Sequence, residues 1–142
     1  FSAGGIVCKK EKGKTYVLVS QHSQHHGWVF PKGIIGDTKK NEGKKETAIR
    51  EVKEETGVEA RILKELPPTT YWYSFEGEKR KKTVYYYLMT YIAGDIVDHD
   101  DEMEAVEWLP TEKVATRLTY PSDKKVWKVA LRAINRRLRN RV

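Results

Sequence analysis

The 142-residue sequence predicts a layered α/β architecture. Strand-like segments rich in β-branched and aromatic residues fill the start and middle of the chain, and helical apolar periodicity surfaces separately around residues 46–56 and near the C-terminus. No internal repeat, low-complexity tract or Ser/Gly/Pro linker divides the chain, whose length suits one core, so residues 1–142 read as a single domain.

Taken in order, Ser2 to Lys9 and Thr15 to Gln21 are strand-like and flank a Lys-Glu-Lys-Gly turn, which predicts an early hairpin. The polar stretch Gln21 to Asn41, punctuated by Pro31, is too long for a passive connection and reads as a functional loop. Glu46 to Thr56 carries Ala48, Ile49 and Val52 as an apolar stripe opposite a run of glutamates, with Gly57 placed as a left-handed helix stop. Three strands are expected next, over Val58 to Leu66, Thr70 to Phe75 and Thr83 to Tyr91, the last two joined by a turn at Glu76-Gly77-Glu78. A charged loop at Asp98 to Glu102 leads to a short strand, Ala105 to Leu109, and a short helix, Thr111 to Leu118. Ser122 is then expected to cap a final helix that gathers Trp127, Leu131, Ile134 and Leu138 on one side.

Composition excludes several classes. No apolar run approaches the ~18 residues of a membrane span, and the start lacks a leader-like pattern, so a cytoplasmic protein without a membrane partner is expected. Cys8, the only cysteine, permits neither an intramolecular disulfide nor a cysteine-rich metal site and is expected as a small core residue on a strand. The net charge of +7 favours polyanionic partners, while acidic residues concentrate at Glu51 to Glu55 and Asp98 to Glu104. Acidic pockets in a basic chain suggest a cation held beside an anionic ligand.

On a helix at ~100° per residue, Glu51, Glu54 and Glu55 share an arc of roughly 100° and can converge on one point. Such a cluster repels itself unless a cation enters it. Carboxylates without His or Cys beside them are hard ligands that select Mg²⁺, or Mn²⁺ as the alternative, over zinc or copper. Magnesium is commonly shared between carboxylates and substrate phosphates, so this face implies a phosphate-bearing substrate attacked by water. A solvated, salt-bridged helix would use similar residues. The fixed spacing of Gly36, Glu42 and Gly57 around the cluster argues against that simpler account.

From Gly36 through Glu42 and Arg50-Glu51-Val52 to Glu54-Glu55 and Gly57-Val58, the chain resembles the signature of the Nudix hydrolases at every specified position. That resemblance implies an α/β/α sandwich with a mixed central sheet, and metal-dependent cleavage of a nucleoside diphosphate linked to another group. It implies that Glu51, Glu54 and Glu55 are metal ligands, that one of them or an activated water delivers the attack, and that Arg50 holds the carboxylates by ion pairing. Gly36, Glu42 and Gly57 are then structural members of the motif. Pro31-Lys32-Gly33 precedes Gly36 by three residues, so the loop from Ile34 to Asn41 is extended, and either Gly33 or Gly36 offers its carbonyl to the metal, with Gly33 preferred. The segments at 28–33, 82–87 and 107–109 are similar to those of diadenosine tetraphosphate hydrolases and related MutT-like nucleotide-cleaning enzymes. A further metal-site glutamate or base is implied at Glu102, with Glu104 as its competitor.

Lys32 and Lys82 are the cations expected against a polyphosphate. Among the tyrosines, Tyr73 and Tyr86 are expected to meet the ligand, since a base stacked on an aromatic gains about 1–3 kcal/mol. His22, His25 and His26 lack metal-ligand spacing, and His25 is the expected phosphate contact. The basic run Lys124, Lys125, Lys128, Arg132, Arg136, Arg137, Arg139 and Arg141 reads as a solvated helix face rather than an RNA surface. The expected substrate is a diadenosine polyphosphate such as Ap4A. The rivals are an oxidised nucleoside triphosphate, a capped or triphosphorylated RNA 5′ end as the nucleic-acid partner, and a regulatory module that binds nucleotide without chemistry.

Overall fold

The computed structural model describes residues 1–36 and 40–139, so positions 37–39 of the extended loop, Arg141 and the side chain of Arg139 lie outside the described residues. Eight strands form one sheet: β1 (Ser2–Glu11), β2 (Lys14–His22), β3 (Trp28–Val29), β4 (Lys32–Ile34), β5 (Val58–Glu65), β6 (Thr69–Phe75), β7 (Glu78–Gly94) and β8 (Met103–Pro110). The pairing of β1 with β7 is parallel, from Ser2 beside Val84 to Cys8 beside Thr90, whereas the other pairings are antiparallel. The sheet is therefore mixed.

Helix α1 (Lys44–Thr56) covers one face, and α2 (Thr111–Arg117) and α3 (Pro121–Arg139) cover the other. Strand alternation sends each side chain to its layer. Val7, Leu18, Tyr87 and Met89 pack with Ala48 and Val52 of α1, while Ile6, Val17, Val19, Tyr86 and Leu88 pack with Val126, Trp127 and Ile134 of α3. Each Val, Leu, Ile or Met side chain buried in full contributes about 1.5–3 kcal/mol.

Both expected hairpin turns form where two consecutive residues take positive φ, Lys12-Gly13 and Glu76-Gly77. Two-residue turns of that hand match strand twist, and a glycine second position makes them inexpensive. The strands outrun the expected bounds: β7 begins at Glu78 rather than Thr83, because β6 supplies hydrogen bonds to its charged first half. Residues 28–34, expected as loop, contain β3 and β4, whose few residues are too short for a periodic signal. Ile49 is exposed, one residue out of phase with buried Ala48 and Val52. The final helix begins at Pro121, so Ser122 lies inside it, and the Lys124 N–H donates to the Tyr120 carbonyl at 3.1 Å. Cys8 lies on β1 against the α3-side core, where burial pushes its thiol up to about 12.

Candidate active site

The chain brings α1, β4 and the turn before β8 together at one end of the sheet. Gly57 ends α1 with φ 79°, its N–H donating to the Lys53 carbonyl at 2.8 Å, and a Cβ there would run into the Asp95 backbone. Glu42 anchors the helix start. Its carboxylate accepts from Arg50 Nε at 2.7 Å, Arg50 Nη2 at 2.9 Å and Thr47 Oγ1 at 2.7 Å, and the Arg50 bonds hold it down at about 2 against the opposing effect of burial. Arg50 also donates to Glu51 at 2.7 Å and to Glu54 at 2.9 Å, and these bonds raise its own pKa further. One guanidinium thus aims three carboxylates, and the fork geometry of arginine allows it.

Glu51 and Glu55 are 8% and 5% exposed, whereas Glu54 projects outward. Burial raises the pKa of both, to about 9 for Glu55, and the charges of Glu51 and Glu102 push Glu55 in the same direction. Glu55 accepts from the Lys32 N–H at 2.8 Å, which ties α1 to β4. A Cβ built on Gly33 would land on the Glu51 carboxylate, so only glycine admits that group against the β4 backbone. The Gly36 backbone meets Glu42 instead, on the structural side of the motif.

Glu102 lies close enough to add its charge to Glu51 and Glu55. Its rival Glu104, on β8, is turned to His26 Nδ1, 2.6 Å away, while Glu102 lies in the turn before that strand. Lys82 is partly buried beside Lys32 and Glu55; burial and the Lys32 charge lower its pKa. Burial likewise lowers His25, helped by His22 and Lys32. The His25 ring stacks on His22 at 4.3 Å, and its Nδ1 accepts from the Gly27 N–H at 3.0 Å, leaving Nε2 as the protonated nitrogen of the neutral ring.

One expectation is overturned outright. Tyr86 is 1% exposed, lies edge-on to Phe30 and bonds Asp123 through its hydroxyl at 3.2 Å, so it is a core residue with no open ring face. Its position within β7 sends it to the α3 layer, where Trp127 and Phe30 close over it. Tyr73 by contrast is exposed on β6. Two participants escaped the sequence reading: Tyr120, whose hydroxyl is 2.9 Å from His25 Nδ1, and buried Asp123, which interacts with Lys32. A signal for the second existed, since Asp123 is the lone acid in the basic segment 121–139.

The donor chemistry fits a hard divalent ion: Glu51 and Glu55 are buried carboxylates whose pKa values burial raises and which a cation would return to the charged form, with Glu54 and Glu102 beside them. Among the described residues no three acidic, histidine or cysteine side chains are gathered at ligating distance, and Glu51 and Glu54 are ion-paired with Arg50.

This geometry coincides with what comparison finds. Residues 2–129 match the NUDIX domain, and the chain belongs to the NUDIX family. It is similar to MutT4 of Mycobacterium tuberculosis (strain CDC 1551 / Oshkosh), 38% identical over 103 residues that cover 72% of this chain and 40% of that protein. It is also similar to a bis(5′-nucleosyl)-tetraphosphatase [asymmetrical] of Rattus norvegicus, 32% identical over 66% of this chain and 63% of the relative. The chain thus spans less than two-thirds of the length of these curated relatives. Among solved structures, a C. elegans Ap4A hydrolase binary complex superposes with a TM-score of 0.75 at 26% identity, covering 94% of this chain and 95% of that one. The expected mixed-sheet sandwich is therefore the observed fold. Among the described residues no helix is long and apolar enough to cross a membrane.

Proposed function

We propose that this chain is a divalent-metal-dependent hydrolase of nucleoside polyphosphates, acting on a diadenosine polyphosphate such as Ap4A. The observation that carries the reading is the juxtaposition, at one end of the sheet, of the buried Glu51 and Glu55 carboxylates with Lys32 and Lys82. Carboxylates beside ammonium groups suit a cation and a polyphosphate bound side by side. Likeness to the Ap4A hydrolase along almost the whole length of both chains supports the same substrate class.

Glu51, Glu54 and Glu55 would hold Mg²⁺ or Mn²⁺, with Glu102 and the Gly33 carbonyl completing the site. When bound, such an ion would supply Lewis acidity that neutralises diphosphate oxygens and acidifies water. Lys32 and Lys82 bind the phosphate oxygens, and His25 donates from Nε2 to an outer phosphate. Arg50 keeps the glutamates aimed. A glutamate of the cluster takes the proton of water as its oxygen bonds to phosphorus; the phosphoanhydride P–O bond breaks and the leaving phosphate departs with the electron pair. We place the reaction in the cytoplasm and in one domain.

Purified protein with Mg²⁺ in ¹⁸O water should be offered Ap4A, oxidised dGTP and a 5′-triphosphorylated RNA, with products read by mass. The proposal expects Ap4A to be the fastest substrate, with one ¹⁸O in a single product. No turnover of any substrate with Mg²⁺ or Mn²⁺ would overturn it.

A further inference from the structure

Outward from Lys82 the β6–β7 hairpin leaves the phosphate cleft, and its composition there is unusual. Cross-strand partners are Tyr71 with Lys82, Tyr73 with Arg80 and Phe75 with Glu78. Tyr71 packs against the α3-side core, so by alternation Tyr73 and Phe75 stand on that same face, continuing outward from Lys82. Tyr73 and Phe75 are exposed, and the Arg80 guanidinium sits over the Phe75 ring at 4.9 Å. Lys79, Arg80, Lys81 and Lys82 run consecutively, and the ion pair of Arg80 with Glu78 at 3.8 Å is exposed and weak. A row of aromatic faces, each beside a cation, starts at the polyphosphate-binding lysine and leads away from it.

That pattern fits a ligand with a repeating anion and a repeating planar base. We propose that this hairpin face is a platform for single-stranded nucleic acid, stacking successive bases on Tyr73 and Phe75 while Arg80 and Lys82, on the same face, meet the backbone phosphates. The strand would run outward from the cleft, with its 5′ phosphates toward Lys82 and Lys32. Charge complementarity selects the occupant: an acidic peptide would match the cations and leave the aromatic faces without partners. That the 5′ end enters the cleft rests on the proposed polyphosphate chemistry there; the platform itself does not.

The test is fluorescence anisotropy of a labelled ten-nucleotide RNA with a 5′-hydroxyl, the same RNA with a 5′-triphosphate, and its duplex, at 50 and 200 mM salt. The substitutions are Phe75→Ala with Arg80→Ala, and separately Trp72→Ala on the opposite hairpin face, where Trp72 is 66% exposed. All three side chains lie on the surface, and circular dichroism checks the fold. Expected results are binding of both single strands, weaker binding of the duplex, and a loss of about five- to a hundredfold in the Phe75/Arg80 variant with none in Trp72→Ala. Added salt should weaken binding, with a shallower slope in the Phe75/Arg80 variant. Absence of binding by the wild-type chain at 50 mM salt, duplex binding as tight as single-strand binding, or full affinity in the Phe75/Arg80 variant would overturn the platform. Ap4A turnover, measured alongside, separates the two proposals: RNA binding without turnover leaves the platform standing and removes the hydrolase reading, and turnover without RNA binding does the reverse.

Discussion

Glu55 concentrates the tension of the site, because it is a carboxylate buried beside two others and pushed up to about 9 chiefly by burial. Between its ordinary value of 4.5 and about 9 the folded chain holds a proton that the unfolded chain releases, so stability falls as pH rises through that window. Glu55→Gln removes the titration. Without divalent metal it should melt higher than wild type at pH 8 and match it near pH 4.5, while losing several orders of magnitude in Ap4A turnover; an equal melting difference at both pH values would refute this account of the residue. Arg50 stands in the opposite position, since Glu42 is buried and held at about 2 by it. Removing the guanidinium leaves an uncompensated charge, so Arg50→Gln should cost about 3 kcal/mol in urea unfolding at pH 7. The Glu42 contribution is fully present above the ordinary carboxylate value and is lost as pH falls toward about 2, so the cost should shrink in acid.

At the scale of elements, the site depends on β4 lying flat against α1. Gly33 makes that approach possible, and its replacement by alanine must displace the Glu51 carboxylate. A displacement of about 1 Å can cost a hundredfold in rate, so Gly33→Ala should lower kcat by about that factor while the melting temperature moves little. Helix α1 and its stop at Gly57 were legible because apolar periodicity and a left-handed position leave marks in sequence. The short strands β3 and β4 were not, since two or three residues carry no period; their pairing with β2 and β1 comes from tertiary context. Tyr86 was misjudged for a related reason. Three consecutive tyrosines alternate between layers, and which of them faces outward depends on the register of β7 with β1, which sequence alone does not specify. The resemblance put Glu102 ahead of Glu104, and the turn before β8 sets the first near Glu51 while the second meets His26.

For the molecule as a whole, an acidic centre sits inside a chain of net charge +7. Lys32, Lys82 and the hairpin cations surround the approach to the cleft and should steer polyanions toward it. With Mg²⁺ held constant, raising ionic strength from 50 to 200 mM should reduce kcat/KM for Ap4A several-fold and leave kcat nearly unchanged, because screening acts on encounter. A fall confined to kcat would contradict steering. The layered fold could be anticipated from the order of strands and helices, whereas Asp123 and Tyr120 join the cleft only because α3 begins beside it. In the proposed site Glu51 and Glu55 grip a hard divalent ion. Titration with Mn²⁺, following the free ion by electron paramagnetic resonance, tests it most directly for the wild type, Glu51→Gln and Glu55→Gln. Tight binding by the wild type and at least tenfold weaker binding by each variant is the predicted result, and three superimposable isotherms would contradict it.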